Sequence, residues 1–199
     1  MRRLLGICLS AGLVLAGCAV QPPVPEQARL TAFASHQAQV RQLSSWSLAG
    51  RAAIRTAREG GSVAVHWQQL NERYRIDLIA PFGAGSVRLT GDARSVRLQT
   101  SRGESVVAAS ARNLLRRYMG YDVPVAALRY WLLGIPAPGP VARQRLDRYG
   151  RLAVLAQQGW RVEFQDYGRF SGVELPTALV LERGRMEVKL VIRDWDLSA

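Results

Sequence analysis

From Trp46 to the C-terminus the chain changes character every second residue. Tyr74, Ile76 and Leu78 alternate with Arg73, Arg75 and Asp77, and Val87 and Leu89 alternate with Arg88 and Thr90. The pattern returns at Val96 and Leu98, at Val162 and Phe164, and at Met186, Val188, Leu190 and Ile192. Successive side chains of a strand point to opposite faces, so a period of two commits each run to a sheet with one face buried and one wet. Asn71-Glu72, Gly91-Asp92, Ser101-Arg102-Gly103 and Tyr149-Gly150 separate the runs by the short intervals of antiparallel hairpins. The runs number about eleven, and a meander of that length curls into a barrel or a strongly curved sheet.

One helical stretch precedes the alternation and one passage interrupts it. Residues 26–43 place Leu30, Phe33, Ala34, Val40 and Leu43 at helical spacing. The interruption holds two short helices. Ala109 to Gly120 has Ser110 as N-cap and Gly120 as stop, and Pro124 to Gly134 opens on proline and ends before Pro136. Their apolar residues Leu114, Leu115, Met119, Leu128, Trp131, Leu132 and Leu133 need something to cover, which the open side of the sheet supplies.

The N-terminus fixes the compartment. Met1-Arg2-Arg3 precedes an apolar run from Leu4 to Leu15, a signal peptide too short for a permanent span of roughly 20 residues. It ends in Leu15-Ala16-Gly17-Cys18, which resembles a bacterial lipobox: residues 1–17 are read as leader and Cys18 as the lipidated residue. Cys8 leaves with the leader, so no disulfide forms and stability rests on the core, for which 48% hydrophobic content supplies material. Residues 18–27 form a proline-rich tether, and 28–199 a single domain, expected as a monomer. The precursor carries a net charge of +12. An exported, lipid-tethered chain meets no nucleic acid, so the charge fits anionic headgroups, an acidic protein partner or a solvated surface.

Catalytic chemistry finds no constellation, and the chain is read as a non-enzyme without cofactor or metal. His36 and His66 lack metal-ligand spacing and are read as surface residues. Gly168 to Gly172 has its serine one place late for a nucleophile elbow. Glu163, Asp166 and Glu174 form the nearest acidic cluster, with nothing to pair them as acid and base. The loop Ala80 to Gly85 is more informative. Proline and glycine fix a turn with Phe82 at its tip, either exposed for contact with membrane or partner, or folded back as a plug. Five tryptophans, Trp46, Trp67, Trp131, Trp160 and Trp195, are spread along the chain and serve either as core or as the lining of an apolar cavity.

Several segments together carry a resemblance. They are WSLAGR at 46–51, HWQQ at 66–69, YRIDLIAPFG at 74–83, DVPV at 122–125, LRYWLLGIP at 128–136, QQGWRV at 157–162, Leu175-Pro176 and VKLVIRDW at 188–195. In this order, behind a lipobox, they resemble the LolB family of outer-membrane lipoprotein receptors. The resemblance implies a mainly β (α+β) fold, an incomplete eleven-stranded antiparallel barrel whose apolar interior is covered by helices. It implies a lipid anchor in the outer membrane, facing the periplasm, and Ala19, in place of the aspartate associated with inner-membrane retention, agrees. It further implies that acylated lipoproteins are taken from a soluble, LolA-like periplasmic carrier and placed among the phospholipids of the inner leaflet without ATP. Pro81, Phe82 and Gly83 then form the membrane-insertion loop, with phenylalanine where the family usually has leucine.

On that basis the period alone nominates an acyl-contacting wall: Val65, Trp67, Ile76, Leu78, Val87, Leu89, Val188 and Leu190 from strands, with Leu128 and Trp131 from the covering helix. The rival reading is a structural lipoprotein that binds a protein partner in envelope assembly; it predicts a filled core in place of a cavity.

Overall fold

The computed structural model describes residues 24–57, 59–120 and 122–198; the leader, Cys18 and most of the tether lie outside them. The chain opens with helix α1 (Glu26–Arg41), which starts inside the stretch assigned to the tether. Six strands follow: β1 (Ser45–Arg55), β2 (Gly60–Leu70), β3 (Arg73–Ile79), β4 (Ser86–Gly91), β5 (Val96–Thr100) and β6 (Ser105–Ala108). Two helices, α2 (Ala111–Met119) and α3 (Val125–Leu132), come next. The chain closes with β7 (Val141–Leu146), β8 (Leu152–Gln157), β9 (Trp160–Phe170), β10 (Val173–Arg183) and β11 (Met186–Asp196).

Among the described residues eleven strands join one antiparallel sheet in the order β6-β5-β4-β3-β2-β1-β11-β10-β9-β8-β7. Every neighbour is a hairpin partner except β1 and β11, whose pairing fuses the first and last strands at the centre. The sheet does not close: β6 and β7 are its two edges, and α2 and α3 form the chain's route from one to the other. The expected half-barrel with covering helices is what the chain builds.

Two local features break the register of the ladders. The β1–β11 register shifts between Ala49 and Gly50, where a Cβ on Gly50 would lie 2.4 Å from the Val191 carbonyl oxygen, so only glycine permits the approach. The β9–β10 register shifts around Pro176, which has no N–H for a ladder and stands at the irregularity. Its carbonyl accepts the Trp195 indole N–H at 3.1 Å.

Three expectations need correction. Leu30 is exposed, and the apolar residues that α1 buries are Phe33 and Val40. His36 is not a surface residue: it is half-buried, its Nε2 lies 2.9 Å from the Leu133 carbonyl oxygen, and it joins α1 to the end of α3. Burial is the main cause that lowers its pKa. The tryptophans are not all dispersed. Trp46 packs on Trp67 and Trp195 at ring-centroid separations of 5.7 and 5.4 Å, because β1 is the strand between the other two. His66 does lie exposed on the outer face.

Candidate functional site

The inward faces of β1 to β4, β9, β10 and β11 converge beneath α2 and α3 on a cavity lined wholly by apolar side chains. Its sheet wall holds Val65 and Trp67 of β2, Ile76 and Leu78 of β3, Leu89 of β4, and Val188 and Leu190 of β11. Leu128 of α3 closes it from above, with Leu115 of α2 and Val123 of the linker. Two of the nominated residues stand elsewhere. Val87, half-buried at the start of β4, is not on the wall. Trp131 is fully buried but off the wall, its indole N–H donating to Gln157 Oε1 at 2.9 Å. Period fixed the face of each strand, but which face of an eight-residue helix meets the void depends on the angle at which it crosses.

The alternation also left out part of the wall. Leu48, Ala52 and Ile54 of β1, Trp160 of β9 and Leu181 of β10 line the void. In β1 the small Ala49-Gly50 blurs the pattern, and β10 is apolar on both faces, so period-two reading loses its contrast there.

The void measures about 90 Å³, which is less than the ~150 Å³ apolar cavity that holds one benzene. The helices are therefore shut down on the sheet. The wall residues Ile54, Val63, Leu78 and Val188 are half-buried, whereas Leu48, Trp67 and Leu89 are buried. These partly open positions are the inward residues nearest the β1–β2 and β10–β11 turns and the β3–β4 loop, so the rim of the cavity lies at that end of the sheet.

The β3–β4 loop stands at the same end. Ala80 N–H donates to the Gly85 carbonyl at 2.9 Å, and Ala84 N–H to the Pro81 carbonyl at 3.1 Å, closing a tight turn over Pro81–Gly83. Phe82 occupies φ 55°, ψ 28°, a left-handed conformation that few non-glycine residues adopt, and its side chain is 105% exposed. Of the two readings left open, the structure shows the exposed tip.

Ion pairs hold the cover down on two sides. Asp122, in the linker between α2 and α3, accepts from Arg112 of α2 and, at 2.8 Å, from Arg183 at the end of β10. The Arg112 guanidinium holds the Asp122 carboxyl below the usual carboxylate range, chiefly by hydrogen bonding. Across the cover, Arg129 of α3 forms a bidentate pair with Glu72 at the β2–β3 turn, both bonds 2.9 Å, and lowers the Glu72 pKa. Larger clefts flank α3, but their walls are mixed with charged groups such as Arg129 and Glu72, and neither is an apolar container.

The acidic residues considered for catalysis are engaged elsewhere. Glu163 pairs with Arg161, Glu174 with Arg169 at 3.7 Å, and Asp166 accepts the Tyr167 backbone N–H at 2.8 Å. Among the described residues no group of three His, Cys, Asp or Glu side chains is placed to hold a metal.

Comparison with known proteins decides the family: the model described as "Outer membrane lipoprotein LolB" matches residues 44–195. The chain belongs to the LolB family. It is 44% identical over 192 residues to the outer-membrane lipoprotein LolB of Alkalilimnicola ehrlichii, covering 94% of each chain, and 42% identical over 192 residues to that of Halorhodospira halophila, covering 96% of this chain and 93% of the other. Among solved structures it resembles a LolA superfamily protein from Nitrosomonas europaea, with a TM-score of 0.52 and 11% identity over 87% of this chain and 93% of that one. A DUF1329 family protein from Desulfovibrio piger gives a TM-score of 0.57 at 7% identity, over 89% and 94% of the two chains. At such identities the likeness is one of fold. As a LolB-family member the chain is an outer-membrane lipoprotein that takes part in lipoprotein localisation.

Proposed function

We propose that the chain accepts acylated lipoproteins from a soluble periplasmic, LolA-like carrier into its apolar cavity and inserts them among the phospholipids of the inner leaflet, without ATP, working as a monomer. One observation carries the reading: a wholly apolar cavity has its rim at the sheet end that bears the exposed Phe82. Each acyl methylene left in water costs about 0.8 kcal/mol, so a cargo chain has to pass from one apolar surroundings to the next. With rim and tip together, that passage is short. The cover yields as a unit because α2 and α3 bond to the sheet through side chains, and raising them breaks no strand ladder. Direction follows if the cavity holds chains more tightly than the carrier and less tightly than the bilayer. The lipid anchor on Cys18 keeps the body near the membrane through the tether of residues 18–27, and residues 28–199 act as the single binding domain.

The test mixes the mature chain carrying Cys18→Ala with carrier loaded with a labelled lipoprotein. The label is expected to move to the chain without nucleotide, and to move on to vesicles when these are added. Label that stays on the carrier at every concentration overturns the reading.

A further inference from the structure

Among the described residues, two buried side-chain polar atoms lack a hydrogen-bond partner: Arg29 Nε and the indole Nε1 of Trp160. The first belongs to a guanidinium with other donors to spare. The second is the sole polar side-chain atom of a residue that lines the apolar cavity and is only 2% exposed. Three other buried indoles have acceptors: Trp67 donates to Gln69 Oε1 at 3.0 Å, Trp131 to Gln157 Oε1 at 2.9 Å and Trp195 to the Pro176 carbonyl at 3.1 Å. A buried donor left unmade costs more than an ordinary hydrogen bond returns. Water is a poor remedy beside this void, because a buried water needs two to four polar partners and the lining residues are all apolar.

We propose that Trp160 is the recognition donor of the cavity, its indole N–H taking the ester or amide carbonyl of an acyl group when the cover yields. The inference rests on the acyl-cavity reading and deepens it. Methylenes are alike, so an apolar wall by itself sets neither the depth nor the direction of a chain. One donor sets both. Trp160 is placed for this, since it opens β9 directly after the Gln158-Gly159 turn and also borders an open cleft with Arg161 and Arg183. It stands where the apolar interior meets the polar surface, the boundary at which the carbonyl of an inserted chain belongs. A site built in this way separates acyl chains from alkyl chains of the same length, because a ligand without the carbonyl leaves the donor unmade.

The test uses the mature Cys18→Ala chain with an aromatic hydrocarbon reporter in its cavity. The reporter is displaced by a dipalmitoyl-glyceryl-cysteinyl tetrapeptide, by the same peptide with ether-linked chains, or by ester-linked phosphatidylethanolamine. The ester peptide is expected to bind about 3- to 10-fold more tightly than its ether analogue, the worth of one hydrogen bond. Trp160→Phe, which keeps the ring and removes the donor, is expected to bind both at the ether level. An ester-to-ether ratio of one in the unsubstituted chain overturns the proposal without recourse to any variant, as does a ratio that survives Trp160→Phe. Phosphatidylethanolamine displacing as well as the ester peptide assigns the donor to acyl lipids at large; displacement by the peptide alone assigns it to cargo. If reporter enters but no acylated ligand displaces it, the acyl-cavity reading itself falls.

Discussion

Phe82 combines two costs that a chain seldom carries together, a left-handed backbone and a large apolar side chain wholly in water. Removing the ring therefore separates folding from delivery. Phe82→Gly suits the φ of 55° and is expected to leave the urea midpoint unchanged or raised. Burying a phenylalanine in the leaflet contributes about 1.5–3 kcal/mol, so Phe82→Gly and Phe82→Glu should both slow transfer to vesicles at least about 10-fold while uptake from the carrier stays normal. Equal transfer rates for all three chains would remove the loop from the mechanism. Gln157 is the opposite case, a polar residue 2% exposed whose Oε1 accepts both the Trp131 indole and the Ala137 backbone N–H, and whose Nε2 donates to the Ala137 carbonyl at 2.7 Å. Gln157→Leu strands these groups and should cost about 2–4 kcal/mol in chemical denaturation. Nothing in the sequence marked Gln157, because it sits in QQG beside an equally polar Gln158 whose role is the turn; only the tertiary position of Trp131 sets them apart.

At the scale of elements the interest lies in how loosely the cover is held. Asp122 ties α2 and its linker to β10, and it is partly solvated, so the pair is worth about 0.5–1 kcal/mol after screening. Asp122→Ala should then raise the opening of α2 about 2- to 5-fold, read as faster amide exchange in 111–119 with little change in the sheet. The sign of the pH effect follows from the lowered pKa. The carboxylate form is favoured in the folded chain, so its contribution is complete above the ordinary aspartate value near 4 and is lost as pH falls through the depressed one. Protection factors in α2, which correct exchange for its intrinsic rate at each pH, should fall below about pH 4 in the unsubstituted chain and show a weaker pH dependence there in Asp122→Ala. His36 acts on α1 in a higher range. Its lowered pKa means the unfolded chain takes a proton first, so its docking to Leu133 is fully supported above the ordinary histidine value and weakens as pH falls below about 6.5.

For the molecule as a whole, strand number, the placing of the three helices and most of the sheet wall were legible because period two is a local signal, and turns such as Asn71-Glu72 announce themselves. The state of the cavity was not. Whether an apolar interior is full, empty or shut depends on how far two short helices sink between Leu78 and Leu128, a distance of packing that no spacing encodes. That unread quantity now yields the sharpest kinetic expectation. A void of about 90 Å³ admits no fatty chain, so uptake has to follow opening of the cover. The observed rate of binding an acylated probe to the Cys18→Ala chain should thus rise with probe concentration and level off at the opening rate. Asp122→Ala lifts that plateau by the same 2- to 5-fold factor by which it speeds exchange, because one latch governs both. A rate that climbs linearly without limit, indifferent to Asp122, would mean that chains enter past a closed cover, and the Asp122 ion pairs would then have no part in admission.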